Sequence, residues 1–119
     1  MLEIKPYENQ YKNEIIDLIL TIQQKEFNVP ITIADQPDLQ IIPEFYQQKN
    51  GNFWVAISEN KLVGTIALID IGENIGALRK MFVHQDFRGK DFGISILLLN
   101  KLLLHCLNHK MQSINLGTN

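Results

Sequence analysis

The sequence predicts an α+β fold, an α/β three-layer arrangement in which a mixed, mostly antiparallel sheet is flanked by helices. Three observations carry that expectation. Strand-like segments follow one another between residues 53 and 83 with only two- or three-residue turns between them. A long segment of helical periodicity precedes them, and an almost wholly apolar helix separates them from one last strand. With 119 residues the chain suffices for one hydrophobic core and not for two, so a single domain, 1–119, is expected.

Leu2 to Lys5 alternates apolar and polar and stops before Pro6, which reads as a short opening strand. From Tyr7 to about Phe27, Tyr11, Ile15, Ile16, Leu18, Ile19 and Ile22 recur at helical spacing, with Glu14, Asp17 and Gln23 opposite. That is an amphipathic helix. Asn28 to Gln36, bracketed by Pro30 and Pro37, reads as a loop lying over a site. Pro37 and Asp38 suit the start of a second, shorter helix with Leu39, Ile42 and Tyr46 inward, which Asn50-Gly51 ends. Phe53 to Ser58 and Leu62 to Ile71 are rich in aromatic and β-branched residues and are joined by Glu59-Asn60, so they form a β-hairpin. Gly72 to Asn74 turns the chain again and Ile75 to Val83 completes an antiparallel meander. Ile94 to Leu107 is a helix expected to be buried against that sheet, with His109 and Lys110 suiting its end. Gln112 to Leu116 is a last strand, and the helical connection makes it parallel to its neighbour.

Composition excludes several functions. The longest apolar run, Ile94 to Leu99, is interrupted by Ser95 and is far too short to cross a bilayer. No membrane span follows. The N-terminus lacks the pattern of a secretory leader and Cys106 is the lone cysteine, so a cytoplasmic location is expected. The basic residues are too few and dispersed for nucleic acid. Charge is nevertheless uneven: residues 1–76 carry 5 basic and 11 acidic side chains, residues 77–119 carry 6 basic and 2 acidic. The C-terminal part is the natural place for an anion.

The informative segment runs from Met81 to Ile94: a strand, a short turn, then a loop with Gly89 and Gly93 opening directly into a helix. Bare amides and the positive end of a helix dipole suit phosphate groups. Gly89 and Gly93 permit close backbone approach, while Arg88 and Lys90 add charge. A dinucleotide fingerprint is absent, because it needs three glycines in another spacing after the first strand of a parallel fold.

This segment resembles the acyl-CoA loop of the GNAT superfamily, whose pattern is Arg or Gln, two residues, Gly, one residue, then Gly or Ala. Arg88 and Gly93 match its ends, and Asp91 stands where the middle glycine is expected. The order of elements matches as well, over nearly the whole chain. The resemblance implies an N-acetyltransferase moving an acetyl group from acetyl-CoA to a primary amine of a small molecule or protein. It implies that Met81, Phe82 and Val83 pair their main chain with the pantetheine arm. The amides of Arg88, Gly89, Lys90, Asp91, Phe92, Gly93 and Ile94 would then cradle the pyrophosphate. The thioester would enter a splay between the Met81 strand and the Gln112 strand, and the acceptor would arrive from the side covered by Asn28 to Gln36.

The family's frequent glutamate base falls on Ala77, which leaves Glu73 as the nearest acidic substitute, with Glu26 or Asp35 able to reach from the loop. The family usually continues with a further helix and a closing hairpin, which this sequence lacks, so a truncated domain is one expectation. A homodimer covering the edge of the last strand is another. A reading of a different class is a non-catalytic module that keeps the fold, and even CoA binding, for regulation or assembly. His105 and His109 stand at i and i+4 without an acidic partner nearby, and no metal site is expected. His84 suits a turn, Cys106 a small core residue, and Trp54 packing.

Overall fold

The computed structural model describes residues 1–89 and 93–116. Five strands form one sheet in sequence order: β1 (Leu2–Pro6), β2 (Asn52–Ser58), β3 (Lys61–Asp70), β4 (Ile75–Val83) and β5 (Ser113–Asn115). The first four pair antiparallel, and β5 runs parallel to β4, as a helical return requires. Glu59 and Asn60 both take positive φ in the β2–β3 turn, which matches the twist of the flanking strands.

Helix α1 (Lys12–Thr21) starts later than periodicity suggests, because a 3-10 turn at Asn9–Tyr11 precedes it. It continues through Ile22–Glu26 with wider π-type turns. The expected second helix is broken. Pro37–Gln40 forms a 3-10 turn, Ile41 leaves helical geometry at φ −133° and ψ 48°, and α2 is the single turn Ile42–Phe45. Pro43 has no amide to close an α-helical bond back to Leu39, so the segment cannot run through as one helix.

The sheet separates two cores. On one side α1 and α2 seal Ile15, Ile19, Leu39, Ile42, Tyr46 and Phe53; on the other α3 (Ile94–Asn108) seals Trp54, Ile66, Leu68, Leu98 and Leu102. Helix α3 buries only one stripe, Ile94, Leu98, Leu102 and Cys106, at successive fourth residues. Its opposite side exposes Ile96, Leu97, Leu103, Leu104 and Leu107. The helix is buried against the sheet as expected, on one face only: the sheet can cover one face of a cylinder, and no described element covers the other apolar face. Among the described residues no helix is long and apolar enough to cross a membrane.

Candidate functional site

The last stretch of β4 departs from regular geometry. Thr65 lies opposite Phe82 and Ala67 opposite Arg79, so Lys80 and Met81 together face the single residue Ile66. Lys80 sits at φ +53°, a left-handed conformation that a lysine adopts only under constraint. The constraint is visible: the fully buried Thr65 donates its hydroxyl to the Lys80 carbonyl at 2.7 Å. Beyond the bulge, β4 also loses its outer neighbour. Strand β5 pairs only with Ile75, Gly76 and Ala77, so among the described residues the edge from Leu78 to Val83 is unpaired on that side. This is a splay between the last two strands, along which β5 leaves the main chain of β4 without a strand partner.

Two cavities meet at that edge. A groove of 370 Å³ is lined by Ile22, Phe27, Met81, Phe82, Val83, Arg88 and Ser95, which places the end of β4 beside the first turn of α3. Gly89 and Gly93 hold φ at +112° and +61°, and added Cβ atoms there would meet open space, so these glycines serve backbone conformation and not packing. Gly93 caps α3 in the left-handed region without a side-chain bond, leaving first-turn amides without intrahelical acceptors. Lys90, Asp91 and Phe92 lie outside the described residues. Ile94 is a core residue, and the next one, Ser95, lines the groove.

Arg88 is tied down more firmly than its place in an exposed loop suggests. Its Nε donates to the Val83 carbonyl at 2.8 Å and a terminal nitrogen meets Glu26 at 2.6 Å. Glu26 is thereby occupied, and Asp35 likewise, since it accepts from the amide and hydroxyl of Thr32 in a capping box. Glu73 stands in the exposed turn before β4, with φ +56°. Most of β4 lies between it and Met81, and it stands before the stretch closed by β5. The structure does not bring Glu73 to the loop. His84 accepts from the Asp86 amide at its Nδ1 and stacks edge-on with Phe87, the turn role its position suggests. Among the described residues no group of three or more His, Cys, Asp or Glu side chains is arranged to hold a metal.

The second cavity, of 420 Å³, lies on the α1 and α2 side and is lined by Gln23, Asp38, Phe45, Tyr46 and β4 from Leu78 to Phe82. It contains a polar cluster that sequence reading missed. Tyr46 donates its hydroxyl to Asp38 at 2.6 Å, and Lys80 approaches the same carboxylate oxygen at 3.6 Å. Lys80 also donates to Gln36 at 2.6 Å, and Gln36 exchanges amide hydrogen bonds with Gln23 at 2.8 and 3.1 Å. Burial, then the hydrogen bond to Asp38, pushes the Tyr46 phenol well above its ordinary value, so it stays protonated. Gln36 closes the loop read as lying over a site, and it is the residue that reaches the bulge.

A model of the acetyltransferase (GNAT) domain matches residues 49–119. N-acetylaspartate synthetase of Xenopus tropicalis is 39% identical over 87 residues, which cover 71% of this chain and 31% of that protein. The chain thus spans under a third of that curated relative. The crystal structure of an acetyltransferase of the GNAT family from Staphylococcus aureus Mu50 superposes with a TM-score of 0.94 at 41% identity, covering 99% of this chain and 74% of that one. An acetyltransferase from Streptococcus agalactiae 2603 superposes at 0.89 with 32% identity, covering 95% and 70%.

Proposed function

The chain belongs to the GNAT acetyltransferase family, and from that premise we propose that it transfers the acetyl group of acetyl-CoA to a primary amine of a small molecule or protein. The observation that carries this reading is the unpaired edge of β4 at the meeting of two cavities, with the start of α3 at one end. The main chain of Met81, Phe82 and Val83 along the unpaired edge holds the pantetheine arm, and the described ends of the loop, Arg88 and Gly89 on one side and Gly93 and Ile94 on the other, bring the start of α3 to the diphosphate. Arg88 acts through Glu26 and the Val83 carbonyl, holding the loop against β4. The acceptor enters through the 420 Å³ cleft.

The amine nitrogen forms a bond to the thioester carbon, the carbon–sulfur bond breaks, and the sulfur leaves with the electron pair. The proton lost by nitrogen passes through water to the thiolate. Alignment of the two substrates along one strand edge supplies much of the rate, because a neutral amine attacks a thioester with little chemical help. Glu73 has no part in this reading; the ionisable groups lining the acceptor cleft are Asp38, Tyr46, Arg79 and Lys80. The reaction draws on a metabolic thioester, and the location that goes with it is the cytoplasm.

Ser95→Glu tests the donor half. Ser95 is exposed in the first turn of α3, where a carboxylate favours the helix while opposing a diphosphate. Calorimetry with acetyl-CoA should show binding by the parent and at least tenfold weaker binding by the variant, with Tm unchanged. No binding by the parent, or equal binding by both, rejects the reading.

A further inference from the structure

We propose, resting on the transferase reading just given, that the acceptor amine carries an oxyanion, a carboxylate or a phosphate, which Arg79 receives in the cleft beside β4. In a regular strand consecutive side chains leave opposite faces, so Arg79 and Lys80 would part. The extra residue at the bulge cancels that alternation, and both cations line the same cavity. Two adjacent positive charges on one cleft wall are a consequence of the backbone irregularity that Thr65 holds in place.

Charge accounting then separates the two. Lys80 is engaged by Gln36 and Asp38, and Asp38 by Lys80 and Tyr46. Arg79 donates only to the carbonyl of its neighbour Leu78, at 3.0 Å, and among the described residues it forms no ion pair. Four of its five N–H donors remain for a ligand. Two cations against one carboxylate leave the cleft with an excess positive charge, on the side chain whose planar fork matches carboxylate and phosphate oxygens. Phe45, Leu78 and Met81 supply apolar wall for a short carbon stem. Arg79 and Met81 stand on either side of Lys80 and line the same cleft, so an anion at Arg79 aims an amine a few bonds away toward the open edge.

Three short primary amines test this: β-alanine with a carboxylate, O-phosphoethanolamine with a phosphate, and propylamine with neither. Release of CoA from acetyl-CoA is followed for each, and each amine is also titrated calorimetrically into the protein. At least one anionic amine should show a KM and a Kd tenfold or more below those of propylamine, and the better of the two names the oxyanion. Arg79→Gln should erase that preference while leaving acetyl-CoA affinity and propylamine turnover unchanged, and Arg79→Lys should restore part of it. Affinities within twofold for all three amines, or a preference that survives Arg79→Gln, overturn the proposal. Acetyl-CoA binding without an anion preference sinks the acceptor assignment alone. Failure to bind acetyl-CoA sinks the transferase reading, and direct titration of the anionic amines against parent and Arg79→Gln then decides the Arg79 site by itself.

Discussion

On the face of the sheet covered by α1 and α2, the core of Ile15, Ile19, Leu39 and Phe53 borders Tyr46, Asp38, Gln36 and Lys80, joined by hydrogen bonds around a cleft. On the face covered by α3, Ile66, Leu68, Leu98 and Leu102 form a core of the same kind. Beside it the His105 imidazole is bonded to the Asn50 carbonyl at 2.8 Å. The difference follows from how each face is roofed. A long regular helix sends most of its polar residues to solvent at fixed angles, and in α3 Ser95, Asn100, Lys101 and Asn108 are exposed while His105 turns inward. The first face is roofed partly by 3-10 turns and a one-turn helix, whose irregular backbone turns Gln36, Asp38 and Tyr46 back toward the sheet. Apolar burial holds both faces; broken secondary structure equips one of them.

The largest effect should test the first half of that comparison. Ile19 and Leu102 are both fully buried, one on each face. Ile19→Ala and Leu102→Ala should each lose about 2–5 kcal/mol in urea denaturation, as buried aliphatic truncations do. A loss below about 1 kcal/mol at either site would show that one core is slack and that the two faces do not share the stability.

A smaller and pH-dependent effect belongs to the cleft side. Tyr46→Phe removes a short, buried hydrogen bond to a carboxylate and should cost about 1.5–3 kcal/mol at neutral pH. The folded phenol titrates above its ordinary value, because of burial first and of Asp38 second, so its contribution is complete below the unfolded value of about 10. Above it the unfolded tyrosine releases its proton while the folded one keeps it, and the parent loses stability. Parent and variant should therefore converge in Tm between about pH 9 and pH 11. A constant gap over that range would mean that Tyr46 is not held protonated by the fold.

The difference between the faces also explains what could be read in advance. The meander of β2, β3 and β4 was legible because strand period and turn residues agree, as at Glu59-Asn60. The parallel β5 followed from connection handedness, and the glycines at 89 and 93 from the φ values they hold. The cleft was not legible. Tyr46 has the spacing of an inward apolar residue and is one, yet its hydroxyl finds a partner eight residues earlier across a helix break. Lys80 meets Gln36 over 44 residues, through a bulge that no local residue type announces. Glu26 looked free in sequence and is paired with Arg88, a contact set by how the π-type turns after α1 carry it toward the loop. Glu73 was favoured by proximity along the chain, and extended β4 then carries the open edge away from it.

The smallest effect lies on the α3 side and should have the opposite pH sign. Burial lowers the His105 imidazole below its ordinary value, the bond to Asn50 works against that, and His109, with its ring 4.2 Å away, adds to the lowering. A depressed folded value means that stability is complete above the unfolded value of about 6.5 and falls as the pH drops below it, because the unfolded chain takes up the proton more readily. His105→Asn gives up an imidazole that packs edge-on against Trp54 and bonds Asn50, and should cost about 1 kcal/mol at pH 8. At pH 5 the gap should shrink, since the parent then carries a penalty that the variant lacks. A gap that widens on acidification would mean that the charged imidazole is the form this face stabilises. The contrast between an alkali-sensitive cleft face and an acid-sensitive helix face would then fail at its second term.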